Sequence, residues 1–391
     1  MKLRTLLAGA ALAAACAATV GAHAADTLKI GVVAPFSGPF ADYGKQMEAG
    51  IKTYMAQHGD EVAGRKIELI NKDTGGAGPE SAKRFSQELV SRNKVDFLAG
   101  YGLTPEAMAS APIAEQSKTP MIIMNAATAS IVSKSRYIAR VSLVTAHSAY
   151  YIGKWAAKNG IKKVVTLVAD YGPGIDSEAA FNAAFKEDGG QVINTIRTPL
   201  QNPDFSPFMQ RIKDAKPDAM FVFVPAGEQS IAIMKNYRER GLADAGIKMI
   251  GTGDLTDDNV LPAMGDASLG VITAFHYSAA HDSPENKVFL KSFAQANPGI
   301  RRPNFMAVAG YDGMDAIYQV ARKLNGKIDG DKAMEVLKGM KINSPRGSLM
   351  IDPEIRDVVQ AQYIRKVEKV GNELYNVEFE SFPGVKGILA K

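Results

Sequence analysis

VDFLAGYGLTPEA, residues 95–107, runs from a buried strand through a tight turn into the start of a helix. Gly100 and Gly102 stand where a dinucleotide-binding fold carries its first two glycines. That fingerprint needs a third glycine three residues further on, where helix and strand pack closely. Here the position is Pro105. Thr104 and Pro105 instead make a good helix opening, a hydroxyl cap followed by proline at the first helical position. The free N–H groups and partial positive charge of such a helix end suit an anion as small as a carboxylate.

The strand-turn-helix unit recurs along the chain. Leu28–Ala34, 66–71, 96–100 and 121–125 read as strands, with helices at 80–92 and around Met47, Ile51, Tyr54 and Met55. The pattern restarts with Lys163–Ala169, a helix bearing Phe181 and Phe185, the apolar run Ala219–Val224, and strands near Met249 and at 271–277. A long helix spans 304–324, and the tail from Gln360 to Phe379 alternates as antiparallel strands do. Alternation of this kind predicts α/β architecture with parallel sheets and right-handed crossovers. Two such sheets in one chain predict two lobes, with the ligand in the cleft facing the carboxyl ends of the strands.

The bulk numbers agree with a globular, two-lobed chain: 391 residues, 46% hydrophobic and 22% charged. Lys2 and Arg4, the apolar run from Leu6 to Val20 and Ala22-His-Ala24 describe a secretory signal peptide cut after Ala24. The run is too short for a membrane anchor. Lipidation at Cys16 is the other alternative, and it lacks the usual leucine three residues before the cysteine. Cys16 is the single cysteine, so the mature chain has none, which fits a bacterial periplasmic protein whose core needs no disulfides. Loss of the two leader cations lowers the formal charge from +5 to +3. With no run of basic residues, nucleic acid is not an expected partner.

The loops after the strands carry the candidate chemistry. Met124-Asn-Ala-Ala-Thr-Ala-Ser130 reads as a second helix start with small residues and a hydroxyl. Together with Thr104 it would form a small carboxylate site; the competing reading is that Thr104 and Thr128 only cap their own helices. Gly75-Gly-Ala-Gly78 lacks the lysine of a P-loop and reads as a surface turn. Asp73 reads as a turn or capping residue, and Asp254 as a carboxylate near a ligand. His58, His147, His276 and His281 show no metal-ligand spacing. No G-x-S-x-G elbow or Ser/His/Asp set is evident. Neither an enzyme nor a cofactor is therefore expected.

The residues then show a family resemblance. Leu28 to Gly44, with Ser37-Gly-Pro and Tyr43-Gly, followed by Asn125-Ala-Ala-Thr128, Asp170-Tyr-Gly172 and Gly310-Tyr-Asp-Gly313, resembles the periplasmic Leu/Ile/Val-binding proteins, the type I solute-binding proteins of ABC importers. The resemblance covers essentially the whole mature chain. It implies two Rossmann-like lobes joined by three crossing strands near Val141, Thr273 and Met350. One lobe would comprise 25–141 and 274–349, the other 142–273 and 350–391, with a hinge between them. It implies that Thr104, with Leu103 beside it, and Asn125, Ala126, Ala127 and Thr128 surround a ligand carboxylate and part of its ammonium. It also puts Tyr43 and Tyr171 in the cleft. Two departures stand out. Ala226-Gly227 replaces a second-lobe tyrosine, and Asp254 stands in the region of the ammonium-binding glutamate. The expected ligand is a branched or hydrophobic amino acid. The alternative is a benzoate- or cinnamate-type acid, with Tyr101, Tyr277 and Tyr311 as platforms for a ring. A monomer that delivers its ligand to an inner-membrane ABC permease is expected. A ligand-sensing subunit for a receptor is the other role open to this fold.

Overall fold

The computed structural model describes residues 27–389; the signal peptide, its cleavage point and Cys16 lie outside the described residues. In chain order the strands are β1 (Leu28–Ala34), β2 (Glu61–Val62), β3 (Arg65–Asp73), β4 (Phe97–Gly100), β5 (Met121–Ile123), β6 (Ile138–Arg140), β7 (Lys163–Ala169), β8 (Gln191–Thr198), β9 (Ala219–Phe223), β10 (Lys248–Thr252), β11 (Ile272–Phe275), β12 (Lys341–Ser344), β13 (Gly347–Ile351), β14 (Val358–Val370) and β15 (Glu373–Val385). The principal helices are α1 (Ala41–His58), α2 (Pro79–Glu88), α3 (Thr104–Ser117), α4 (Thr145–Lys158), α5 (Gly172–Glu187), α6 (Ser206–Ala215) and α7 (Glu228–Glu239). They continue with α8 (Leu261–Met264), α9 (Pro284–Ala296), α10 (Phe305–Lys323) and α11 (Gly330–Leu337).

The first lobe has a sheet ordered β2-β3-β1-β4-β5-β6, parallel apart from the short β2. Its central strand, LKIGVVA, is buried along nearly its whole length because helices cover both faces. The second sheet runs β12-β13-β14-β11-β10-β9-β7-β8, with β15 paired to β14. There β7 to β11 are parallel, and β14 and β15 form the antiparallel tail that the alternation predicts.

The chain changes lobes three times, and two of the crossings fall later than expected. Val141 packs in the first core and Val144 in the second-lobe core, so the first crossing is at 141–144. β11 pairs with β10 through Ala274 and with β14 through Phe275, which moves the second crossing past Thr273 to the residues just after Phe275. Leu349, Ile351 and Val358 still belong to the first core, while Ile364 belongs to the second. The third crossing therefore lies within β14, around Gln360, and not at Met350. The reason is the β12–β13 hairpin, whose apolar side completes the first core before the chain leaves it.

Two buried arginines stitch these crossings. Arg140 is fully buried, with its Nε 2.8 Å from Asp357 Oδ1 and its Nη2 on Asp357 Oδ2. Arg346 donates to the carbonyls of Val141 and Ser142 and pairs with Asp312 at 2.9 Å. Removing one partner of a buried pair strands the other charge, at a cost of about 3–5 kcal/mol. Asp357→Ala is thus expected to lower unfolding free energy by about that amount in urea titrations. A loss below about 1 kcal/mol, as for an exposed pair, would contradict this reading of the hinge.

Candidate functional site

The loop after β4 and the loop after β5 are zipped side by side. Met124 N–H donates to Gly100 O (2.9 Å), Ala126 N–H to Tyr101 O (2.9 Å), and Asn125 Nδ2 to Gly102 O (2.6 Å). Helix α3 begins at Thr104 itself, one residue earlier than expected, with Leu103 in the capping position. Glu106 does the capping, its Oε2 accepting from the Leu103 N–H at 3.0 Å. Burial raises the Glu106 carboxyl to about 7, against the hydrogen bond from Thr74. The Thr104 hydroxyl is therefore released from capping. It is buried and has no partner among the described residues, as is Asn125 Oδ1.

The second expected helix start is corrected. Residues 124–130 form an irregular loop, followed by a short 3-10 turn at Ile131–Lys134. The buried Arg140 guanidinium explains why. Its Nη1 donates to Ala126 O at 3.1 Å and to Thr128 O at 2.7 Å, taking carbonyls that a helix would turn along its own axis. The N–H groups of Ala127 and Thr128 meet no protein acceptor among the described residues. The outcome is a small donor-rich recess: one hydroxyl, the end of α3 and two loop N–H groups.

The second lobe closes against this recess. A Cβ on Gly172, the first residue of α5, would lie 2.5 Å from Thr128 Oγ1 and 3.3 Å from Thr104 Cγ2, so only glycine allows this approach. One turn on, Asp176 Oδ2 accepts from Thr128 Oγ1 at 2.7 Å and from the Ala129 N–H at 2.8 Å. The lobes also meet through Asn259 Nδ2 to Asp42 Oδ2 (2.8 Å) and Asn304 Nδ2 to Asp257 Oδ2 (2.9 Å).

Tyr43, Tyr171, Ala226 and Asp254 gather beyond the threonines. Tyr43, Tyr171, Leu103, Ala127 and Ala226 share one apolar cluster drawn from both lobes, and the Tyr43 hydroxyl reaches Ala226 O at 3.5 Å. Gly227, next to Ala226, caps α7 at φ +102°. Burial raises both phenols well above their ordinary value, as does the nearby charge of Asp254. Burial likewise lifts Asp254 to about 6, although Thr252 Oγ1 donates to it at 3.0 Å.

The three expected ring platforms have their hydroxyls tied to protein partners, although Tyr277 and Tyr311 adjoin the same apolar cluster as Tyr43 and Tyr171. Tyr101 points into the first core, its hydroxyl 2.8 Å from Ser86 Oγ. The Tyr277 hydroxyl is tied to Asn286 at 3.1 Å, and that of Tyr311 to Gln57 at 2.5 Å, with the Tyr311 ring edge-on to Tyr54. Asp73 is a turn residue, accepting from the N–H groups of Phe36, Ser37 and Gly75. Sequence reasoning missed Arg140 and Asp176. A lone arginine in the apolar run Ile138-Ala-Arg-Val141 is a usable signal. Asp176 sits one turn into α5 as an ordinary polar helix residue, so nothing in the local pattern marked it out.

Comparison with known proteins now decides the family. The model described as periplasmic binding protein matches residues 27–372. The chain belongs to the periplasmic binding protein family. It is a substrate-binding protein of the ABC-transporter, Leu/Ile/Val-binding type, with the two-lobed type I fold. Leu/Ile/Val-binding protein homolog 6 of Brucella melitensis is 46% identical, over 93% of this chain and 94% of that one. A solute-binding protein of an ABC transporter from Rhodopseudomonas palustris BisB5, solved with 3,4-dihydroxybenzoic acid, is 53% identical. Its TM-score is 0.90, covering 92% of this chain and 98% of that one. The counterpart from R. palustris HaA2, solved with p-hydroxybenzoic acid, is 43% identical, with the same TM-score and coverage.

The Asp176 contact bridges the lobes, so its loss should affect closure more than folding. Asp176→Ala is expected to leave the melting temperature of the ligand-free protein within a few degrees. It should shift the liganded protein toward a more open form by small-angle scattering and weaken binding about tenfold, the value of one hydrogen bond to a charged group. Unchanged affinity would contradict a closing role.

Proposed function

We propose that this chain captures an aromatic carboxylate of the hydroxybenzoate type in the periplasm and hands it to an inner-membrane ABC permease. The observation that carries the reading is Arg140 on the Ala126 carbonyl. The resemblance gives part of a ligand's ammonium to the Ala-Ala-Thr segment. Here a permanently charged guanidinium holds two of its carbonyls. An ammonium would have to compete with that cation, whereas a carboxylate on the neighbouring N–H groups is attracted by it. The order of the two ligand classes expected from sequence is therefore reversed. Relatives solved with hydroxylated benzoic acids point the same way.

In this reading the carboxylate meets Thr104 Oγ1 and the N–H groups of Ala127 and Thr128. The ring lies against Tyr43 and Tyr171, and a ring hydroxyl donates to Asp254. The work is affinity with release, and no covalent step is assigned. The lobes close over the ligand, and the closed form is what the permease engages. A monomer suffices for that task.

The test is calorimetry on the mature chain, refolded to strip carried-over ligand. 4-Hydroxybenzoate and 3,4-dihydroxybenzoate are expected to bind and leucine not to; tight leucine binding with no response to the benzoates would overturn the proposal. A hydrogen bond to a charged carboxylate contributes about 1.5–3 kcal/mol, roughly tenfold or more in affinity. Hydroxybenzoate should therefore outbind benzoate by about that factor at pH 8. Because Asp254 titrates near 6, the preference should shrink as the pH falls from 8 to 5 and the carboxylate takes up a proton. Asp254→Ala should abolish the preference at both pH values.

A further inference from the structure

Between the lobes lies a cavity of about 380 Å³, within the range of about 300–1,000 Å³ common for small-molecule sites. One wall comes from the first lobe, Phe40 and the turn Gly75-Gly-Ala-Gly78, a loop that carries no long side chain. The other comes from the second lobe: Leu200, Phe205, Ala226 and the first turns of α7. The space is therefore enclosed only when the lobes are together. It adjoins the ligand site through Tyr43, which meets both of the residues at the junction. The Phe40 ring stands edge-on to Tyr43 at 5.4 Å, and the Ala226 carbonyl faces the Tyr43 hydroxyl.

The strand order gives the cavity its direction. In the sequence β10-β9-β7-β8 across the second sheet, Asp254 follows β10, Ala226 follows β9, and Leu200 follows β8. Asp254 and the cavity thus lie on opposite sides of Ala226. A ring resting at Ala226 can turn a hydroxyl to Asp254 and another edge toward the cavity. The walls there are mostly apolar, with the exposed amides of Gln201 and Asn202 among the lining and a buried acceptor on Gln229. Gln229 Nε2 is spent on Leu200 O at 2.6 Å, while Gln229 Oε1 is buried without a partner among the described residues. Glu228 stands exposed on the rim, so a second carboxylate is disfavoured.

The geometry points to a second compartment of the ligand site, one that takes a bulky uncharged ring substituent, so that the preferred ligands are hydroxybenzoates bearing a ring ether or amide. This rests on the aromatic-acid reading above. It adds a substrate class that a bare hydroxybenzoate does not represent, because the single ring leaves the compartment empty.

Calorimetry on the refolded mature chain tests it with 4-hydroxybenzoate and its 3-methoxy, 3-propoxy and 3-acetamido derivatives. The substituted acids are expected to bind at least as tightly as 4-hydroxybenzoate, and 5-carboxy substitution to weaken binding at least tenfold. Ala232→Phe, on the α7 wall of the cavity, should weaken the propoxy compound at least tenfold and leave 4-hydroxybenzoate within about twofold. A stepwise loss of wild-type affinity with ether size would overturn this inference and leave the aromatic-acid reading standing. So would an Ala232→Phe effect equal for both ligands. Binding of no aromatic acid at all would overturn both. The wild-type series decides the matter even if the variant does not fold.

Discussion

The buried Arg140 guanidinium is the constraint on which the rest depends. A charge with no exposure must be fully paired, or the fold loses several kcal/mol. Arg140 meets that demand with Asp357 on one side and the carbonyls of Ala126 and Thr128 on the other. The first contact ties the strand before one crossing to the segment before another. The second turns two loop carbonyls inward. One side chain thereby fixes the hinge, prevents a helix at Thr128 and leaves the N–H groups of Ala127 and Thr128 without acceptors among the described residues.

Closure is built onto the same loop. Thr128 is the point at which the lobes and the proposed ligand meet, since its hydroxyl is held by Asp176 while its N–H remains available. A ligand carboxylate and Asp176 are like charges on neighbouring donors. Holding both therefore requires the cationic Arg140 behind the loop and the positive ends of α3 and α5 beside it. Affinity and closure are in this way coupled through a few atoms. That suits a protein that must hold its ligand in solution and surrender it at a membrane.

Much of this was legible in the sequence. The buried strand Leu28–Ala34, the glycine turn at 100–102 and the Thr-Pro helix opening gave the two-lobed fold and the recess, because hydrophobic period and turn chemistry are local properties. Tyr43 and Tyr171 share one apolar cluster within reach of the Asp254 charge, each at the opening of a helix that follows a strand. The failures have a common cause. Which way Tyr101, Tyr277 and Tyr311 turn their hydroxyls depends on the side chains of Ser86, Asn286 and Gln57, pairings that hydrophobic period does not reveal. The crossing at Gln360 depends on a hairpin completing the other lobe's core. Arg140 was readable as an oddity in an apolar strand, but its partner lies 217 residues away, beyond any local pattern.

The most direct test of the account is a crystal structure of the refolded mature protein grown with 4-hydroxybenzoate. The account predicts a closed form with the ligand carboxylate within hydrogen-bond distance of Thr104 Oγ1 and the N–H groups of Ala127 and Thr128, Arg140 still on the Ala126 carbonyl, and the phenol oxygen on Asp254. A carboxylate bound elsewhere in the cleft, with these N–H groups left to water, would contradict it.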